Sequence, residues 1–111
     1  MFNRIEFMKI SINEALNQAI VAQKAGDYQR AESYYTAILG EEPHHPDVNH
    51  NMGVLAYTTG KVGPAIEFFE KAIKNNPNVP QYWLSYINIL IEQNRMTEAN
   101  KTFENAYRKG M

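Results

Sequence analysis

Three alanines, Ala31, Ala65 and Ala99, stand 34 residues apart, and the same shift carries other side chains onto their like. Tyr35 maps onto Phe69 and Phe103, Leu39 onto Ile73 and Tyr107, Gly26 onto Gly60 and Asn94, and Pro43 onto Pro77. A period of roughly 20–50 residues marks a stack of similar units, each burying its apolar face against its neighbours. That constraint leaves few architectures open.

Each period holds two helical patterns. Tyr28, Ala31, Tyr35 and Ile38 fall at the three- and four-residue spacing of one helix face. Val62, Ala65, Phe69 and Ala72 repeat it, as do Met96, Ala99, Phe103 and Ala106. Upstream of each lies another helical stretch, Ile12 to Ala25, Pro46 to Thr59 and Pro80 to Gln93. Ser11 with Glu14 makes a capping-box pattern for the first of these. Pro46 and Pro80 suit a first turn, where the missing N–H costs nothing. Gly26, Gly60 and Asn94 are fitted to the left-handed conformation that ends a helix. The short run Ile87, Ile89, Leu90, Ile91 is β-branched, but it sits inside the periodic frame and lacks flanking turn residues. The chain therefore reads as all-α, with six helices paired into three antiparallel hairpins.

This order of residues resembles the tetratricopeptide repeat. The closest match, residues 46–79, has Gly53, Gly60, Ala65, Phe69, Ala72 and Pro77 where that family expects Gly, Gly, Ala, an aromatic, Ala and Pro. Residues 80–111 keep Trp83, Ala99, Phe103 and Ala106, with Ile87 where a small residue is expected. Residues 12–45 keep Ala19, Gly26, Ala31, Tyr35 and Pro43, with Ile38 in place of the second alanine. The resemblance implies a right-handed superhelical solenoid over residues 12–111, preceded by an extension of residues 1–11. Small side chains at the alanine registers let helix axes approach closely. Tyr35, Phe69 and Phe103 are then expected to fill the wedge beside each contact, and Ile87 to tilt or open the third hairpin.

Composition narrows the function. The formal charge of −1 gives no basic excess for nucleic acid or for an anionic membrane surface. No apolar run approaches the roughly 20 residues that span a bilayer. Residues 1–10 lack the continuous apolar stretch of a secretory signal. Cysteine is absent, so neither a disulfide framework nor a thiolate site can form. Those readings make a cytoplasmic address the default. Neither a Gly-rich phosphate loop, nor a nucleophile elbow, nor a carboxylate pair marks an enzyme, and no cofactor is expected.

In the family that the chain resembles, the first helix of each pair lines a concave face that holds a protein or peptide. The resemblance places Asn13, Leu16, Asn17, Ile20 and Gln23 there, followed by Asp47, His50, Asn51, Val54 and Tyr57. Gln81, Leu84, Ser85, Asn88 and Ile91 complete the row. Asparagine offers donors and an acceptor, and so can pair with an extended peptide backbone. Asn17 and Asn51 would form successive rungs, with Ser85 a weaker third. This resembles the asparagine ladder of the repeat region of O-linked N-acetylglucosamine transferases. The carboxylate clamp of the same family is not matched. Leu16, Gln81 and Ser85 stand at its basic positions and Ile20 at one of its Asn positions, leaving only Asn51.

Other residues read more plainly. His44, His45 and His50 with Asp47 tempt as a metal cluster, but two of them sit in a turn and no convergence of ligands is expected. Trp83 reads as core. Glu67, Glu70, Lys71 and Lys74 read as an exposed face with i,i+3 and i,i+4 pairs.

The last helix, roughly Met96 to Lys109, runs nearly to the final residue, and Ile87, Ile91 and Tyr107 would ordinarily meet another helix. Residues 1–10 can cover only the opposite end. Self-association through this uncapped helix, or membership of a longer protein, is therefore expected. Three functions follow: a peptide- or protein-binding adaptor, the N-terminal repeat region of a larger enzyme such as a glycosyltransferase, or a self-associating structural module.

Overall fold

Local signals set the helix ends. The computed structural model describes residues 10–111 and holds among them six helices and no strand. These are α1 Ile12–Lys24, α2 Tyr28–Glu41, α3 Pro46–Thr58, α4 Val62–Asn75, α5 Pro80–Glu92 and α6 Met96–Arg108. The Ser11 hydroxyl accepts from the Glu14 N–H at 3.0 Å, as the capping-box spacing predicts. Asp27 caps α2 through the Arg30 N–H at 3.2 Å, and His45 Nδ1 caps α3 through the Val48 N–H at 3.3 Å. Pro46 and Pro80 open α3 and α5. The segment 1–9 lies outside the described residues, and so does its expected role at the N-terminal end.

One stop signal is used three times. Gly26, Gly60 and Asn94 take φ values of 81°, 84° and 59°, the left-handed region predicted for them. Each is flanked by the paired bonds of a Schellman motif. Asp27, Lys61 and Arg95 donate their N–H to the carbonyls of Ala22, Ala56 and Leu90 at 2.9, 2.7 and 2.9 Å. Gly110 repeats the left-handed turn after α6, with φ 86°.

Within hairpins the small residues bring helices together. Ala31 and Ala65 are fully buried and Ala99 is 2% exposed. At Gly53 the approach is closest: a Cβ there would lie 2.6 Å from Phe69 Cδ1 and nearer still to Cε1. Ala19 and Tyr35 hold the same registers in the first hairpin, and both are fully buried. The third hairpin departs from this. Ile87 stands where Ala19 and Gly53 leave room, and α5 packs on α6 less extensively than α1 on α2 or α3 on α4. Phe103 corrects the expectation from its register: it fills no wedge and is 60% exposed. The reason is twofold. Ile87 stands at the register where Gly53 admits the Phe69 ring, and among the described residues no further hairpin closes over Phe103.

Between hairpins, α2 packs on α3 and α4 on α5, so the units add along one direction. The result measures 44 × 26 × 19 Å, with a radius of gyration of 14.6 Å. A rounder domain of this length would have about 13 Å. The joints share a polar bolt. Trp83, buried as its register predicts, donates its indole N–H to the Pro77 carbonyl at 2.8 Å. Asn49 occupies the same register one repeat earlier and donates to the Pro43 carbonyl at 3.2 Å and the His45 carbonyl at 2.9 Å.

Replacing Gly53 with valine is expected to cost about 3 kcal/mol, since the branched side chain overpacks against a buried ring. Paired with Phe69→Ala it should cost clearly less than the two single substitutions summed. Urea denaturation of the four proteins in the cycle measures this.

Candidate functional site

The first helices α1, α3 and α5 carry the residues that family resemblance assigns to a groove. The stacking brings α3 and α5 together, and polar side chains meet across them. Tyr82 donates its hydroxyl to the Asp47 carboxylate, and Tyr57 donates to the Glu92 carboxylate. Between these, His50 Nε2 and Ser85 Oγ share a hydrogen bond of 2.8 Å. All three pairs join residues 35 positions apart, one more than the repeat. Gln81 extends the row by donating to Ser85 Oγ at 3.4 Å.

A second group joins α1 to α2. Tyr35 donates its hydroxyl to Gln23 Oε1 at 2.6 Å, and the Asn51 side chain of α3 lies beside them. Burial pushes the Tyr35 phenol up to about 12, against the smaller opposing effect of Asn51. Above them lies a hollow of about 360 Å³ lined by Ile20, Gln23, Lys24, Tyr35 and Asn51. Two further hollows open elsewhere. One of about 390 Å³ includes Met52 and Phe68, and one of about 400 Å³ includes Trp83 and Tyr86.

His50 is the most constrained titratable group of the face. Its ring stacks on Tyr82 with centroids 5.1 Å apart and meets Phe69 at 5.5 Å. Burial lowers its pKa from the ordinary 6.5, while the Asn51 hydrogen bond and the Asp47 charge oppose that shift. The neutral imidazole is thus the form that the fold selects.

The sequence-assigned residues divide into two sets. Gln23, His50, Tyr57, Gln81 and Ser85 are brought into side-chain hydrogen bonds within the chain, and Asn51 is half-buried beside Gln23 and Tyr35. Val54 and Ile20 are half-buried, Val54 against the apolar cluster around Phe69. Asn13, Asn17 and Asn88 stand exposed. Tyr35 was assigned only to packing, and its polar role rests on one atom. Phe69 and Phe103 at the same register have no hydroxyl, so a lone tyrosine in a phenylalanine register was the available sign. Of the tempting histidines, His45 caps α3 and His50 bonds Ser85. Among the described residues no three His, Asp or Glu side chains converge. Glu70, expected to pair along its own helix, accepts from the Tyr86 hydroxyl at 3.0 Å.

The arrangement sets exposed amides beside a row of side-chain hydrogen bonds that includes the Asp47 and Glu92 carboxylates. A sequence profile described as tetratricopeptide repeat matches residues 22–86, more than half of the chain. Among solved structures, a MamA point mutant superposes with a TM-score of 0.76 at 18% identity, covering 95% of this chain and 78% of that one. A second MamA mutant gives 0.75 at 18%, covering 93% and 57%. The structure titled MamA AMB-1 gives 0.74 at 19%, covering 88% and 54%. The chain thus spans little more than half the length of the last two. At such identity the likeness is one of fold.

Protonation of His50 opposes folding, because its folded pKa lies below the unfolded value. Its contribution is fully present above the unfolded pKa and is lost as pH falls from there through the lowered folded value. The urea midpoint should therefore drop as the pH falls below about 7. His50→Gln should flatten that slope while the wild type retains it.

Proposed function

Because the chain belongs to the tetratricopeptide-repeat family, we propose that it serves as a protein-interaction scaffold whose partner is an extended peptide segment laid across α1, α3 and α5. The observation that carries this reading is the exposed row of amides, Asn13, Asn17, Gln81 and Asn88, above a floor already held by its own hydrogen bonds. Each amide offers donors and an acceptor, the complement of a peptide backbone. A floor fixed before binding loses little freedom when the guest arrives, which raises affinity without added contacts.

The chemistry also sets limits. Asn51 lies beside the Tyr35 hydroxyl, and Ser85 already serves His50. Asn17 is the rung left free, Asn88 is an exposed amide outside that register, and the likeness to the asparagine ladder of O-linked N-acetylglucosamine transferases rests mainly on Asn17 and Asn51. With few charges on the face, recognition would read backbone and apolar side chains more than acidic or basic ones. Ile20 and Val54 supply the apolar stations between the amides. No described helix is long and apolar enough to cross a membrane, which suits a surface that works in water.

Selection from a displayed library of natural peptide segments tests the reading. Bound peptides should share an extended apolar pattern and have no fixed terminal carboxylate. Asn17→Ala and Asn88→Ala should each weaken them about fivefold, near 1 kcal/mol, with unchanged melting. Peptides that bind both variants as tightly as the wild type, or a library that yields none, would refute it.

A further inference from the structure

The repeat register relates each joint of the stack to the exposed faces of the first and third hairpins. In the first joint, Tyr35 of α2 and Leu55 of α3 share one apolar cluster, at 0% and 3% exposure. In the second, Phe69 of α4 and Ile89 of α5 share another, both 3% exposed. The registers are the same each time: 35 and 69 are one position in successive repeats, and 55 and 89 another. Continuing the first series by one repeat reaches Phe103, which is 60% exposed. Extending the second backwards reaches Val21, which is 63% exposed. Each exposed residue holds a register that is buried at a joint twice within the chain.

We infer that a second copy of this chain docks head to tail, its α1 carrying Val21 onto the α5–α6 face around Phe103 of the first. Tyr107 and Ile91, 72% and 44% exposed, widen the acceptor face. The occupant is a second copy because this chain itself provides both surfaces in matching registers. Charge agrees with that choice. Residues 12–45 carry five acidic and two basic side chains, whereas residues 80–111 carry three acidic and four basic. Head-to-tail stacking brings the acidic hairpin onto the basic one, and pairing like ends does not. The contact is heterologous, so each added copy presents a new free end, and growth continues along the solenoid axis instead of stopping at a pair.

Sedimentation velocity on the full chain and two charge variants tests this. The wild type should gain average mass with concentration and pass beyond that of two chains. Phe103→Glu and Val21→Glu, each confirmed as folded by circular dichroism, should be monomeric alone, since one end is blocked in each. Mixed in equal amounts they should form a species of twice the monomer mass and no larger, through the one intact joint. Tyr107→Glu gives a second acceptor-end variant if Phe103→Glu does not fold. A wild type that stays monomeric at its highest soluble concentration overturns the inference. So does a Val21→Glu variant that associates like the wild type, which would mean pairing of like C-terminal faces, or a mixture that fails to pair. None of these outcomes bears on peptide binding by the amide row.

Discussion

The structure depends on a small residue at the register of an aromatic ring in the first two hairpins. Where the small residue is Gly53, the Phe69 ring comes to within contact of the backbone and buries itself completely enough to seal the next joint. Where it is Ala19, Tyr35 does the same. Close axial approach lets two helices act as one slab, and slabs of equal thickness pile up by translation. Ile87 breaks the condition once, and the consequences collect in that place: a looser third hairpin and an aromatic left in solvent. Dispersion explains why such a small change matters, since a side chain that cannot close on its neighbour forfeits its contacts outright.

From that stacking the polar contacts between α3 and α5 follow. Setting α3 beside α5 brings Asp47 to Tyr82, His50 to Ser85 and Tyr57 to Glu92, and those bonds then fix the spacing of the two helices. The arrangement leaves polar groups satisfied where they are partly buried; among the described residues no buried side-chain polar atom lacks a partner. Rigidity below and uncommitted amides above are what a surface needs to hold a flexible backbone cheaply. The registers that are buried at the two internal joints are exposed on the terminal hairpin faces at Val21 and Phe103.

Much of this was legible in the residues themselves. Helix ends were readable because caps and left-handed stops are local: Ser11, Pro46, Gly26, Gly60 and Asn94 act within one turn of their own positions. Ala31, Ala65 and Ala99 revealed the packing because a register repeated three times averages out local accident. The hydrogen bonds of the groove face were not legible. Their offset of 35 residues, not 34, depends on how far each helix is rotated relative to the last, which no spacing encodes. Phe103 misled for a related reason. A residue type records what a position is suited to bury, whereas its exposure depends on what lies beyond it. Asn49 hid in plain sight, because an amide in a tryptophan register looks like a substitution until both are seen donating to the same proline carbonyl position.

If small-residue approach controls cohesion, stability must fall from the first two hairpins to the third within one molecule. Amide hydrogen exchange under native conditions, at a dilution where copies do not meet, measures that gradient helix by helix. The account predicts that amides of α5 and α6 exchange through an opening of lower free energy than those of α2, α3 and α4. Protection in α6 equal to that in α3, lost in one global transition, would contradict it.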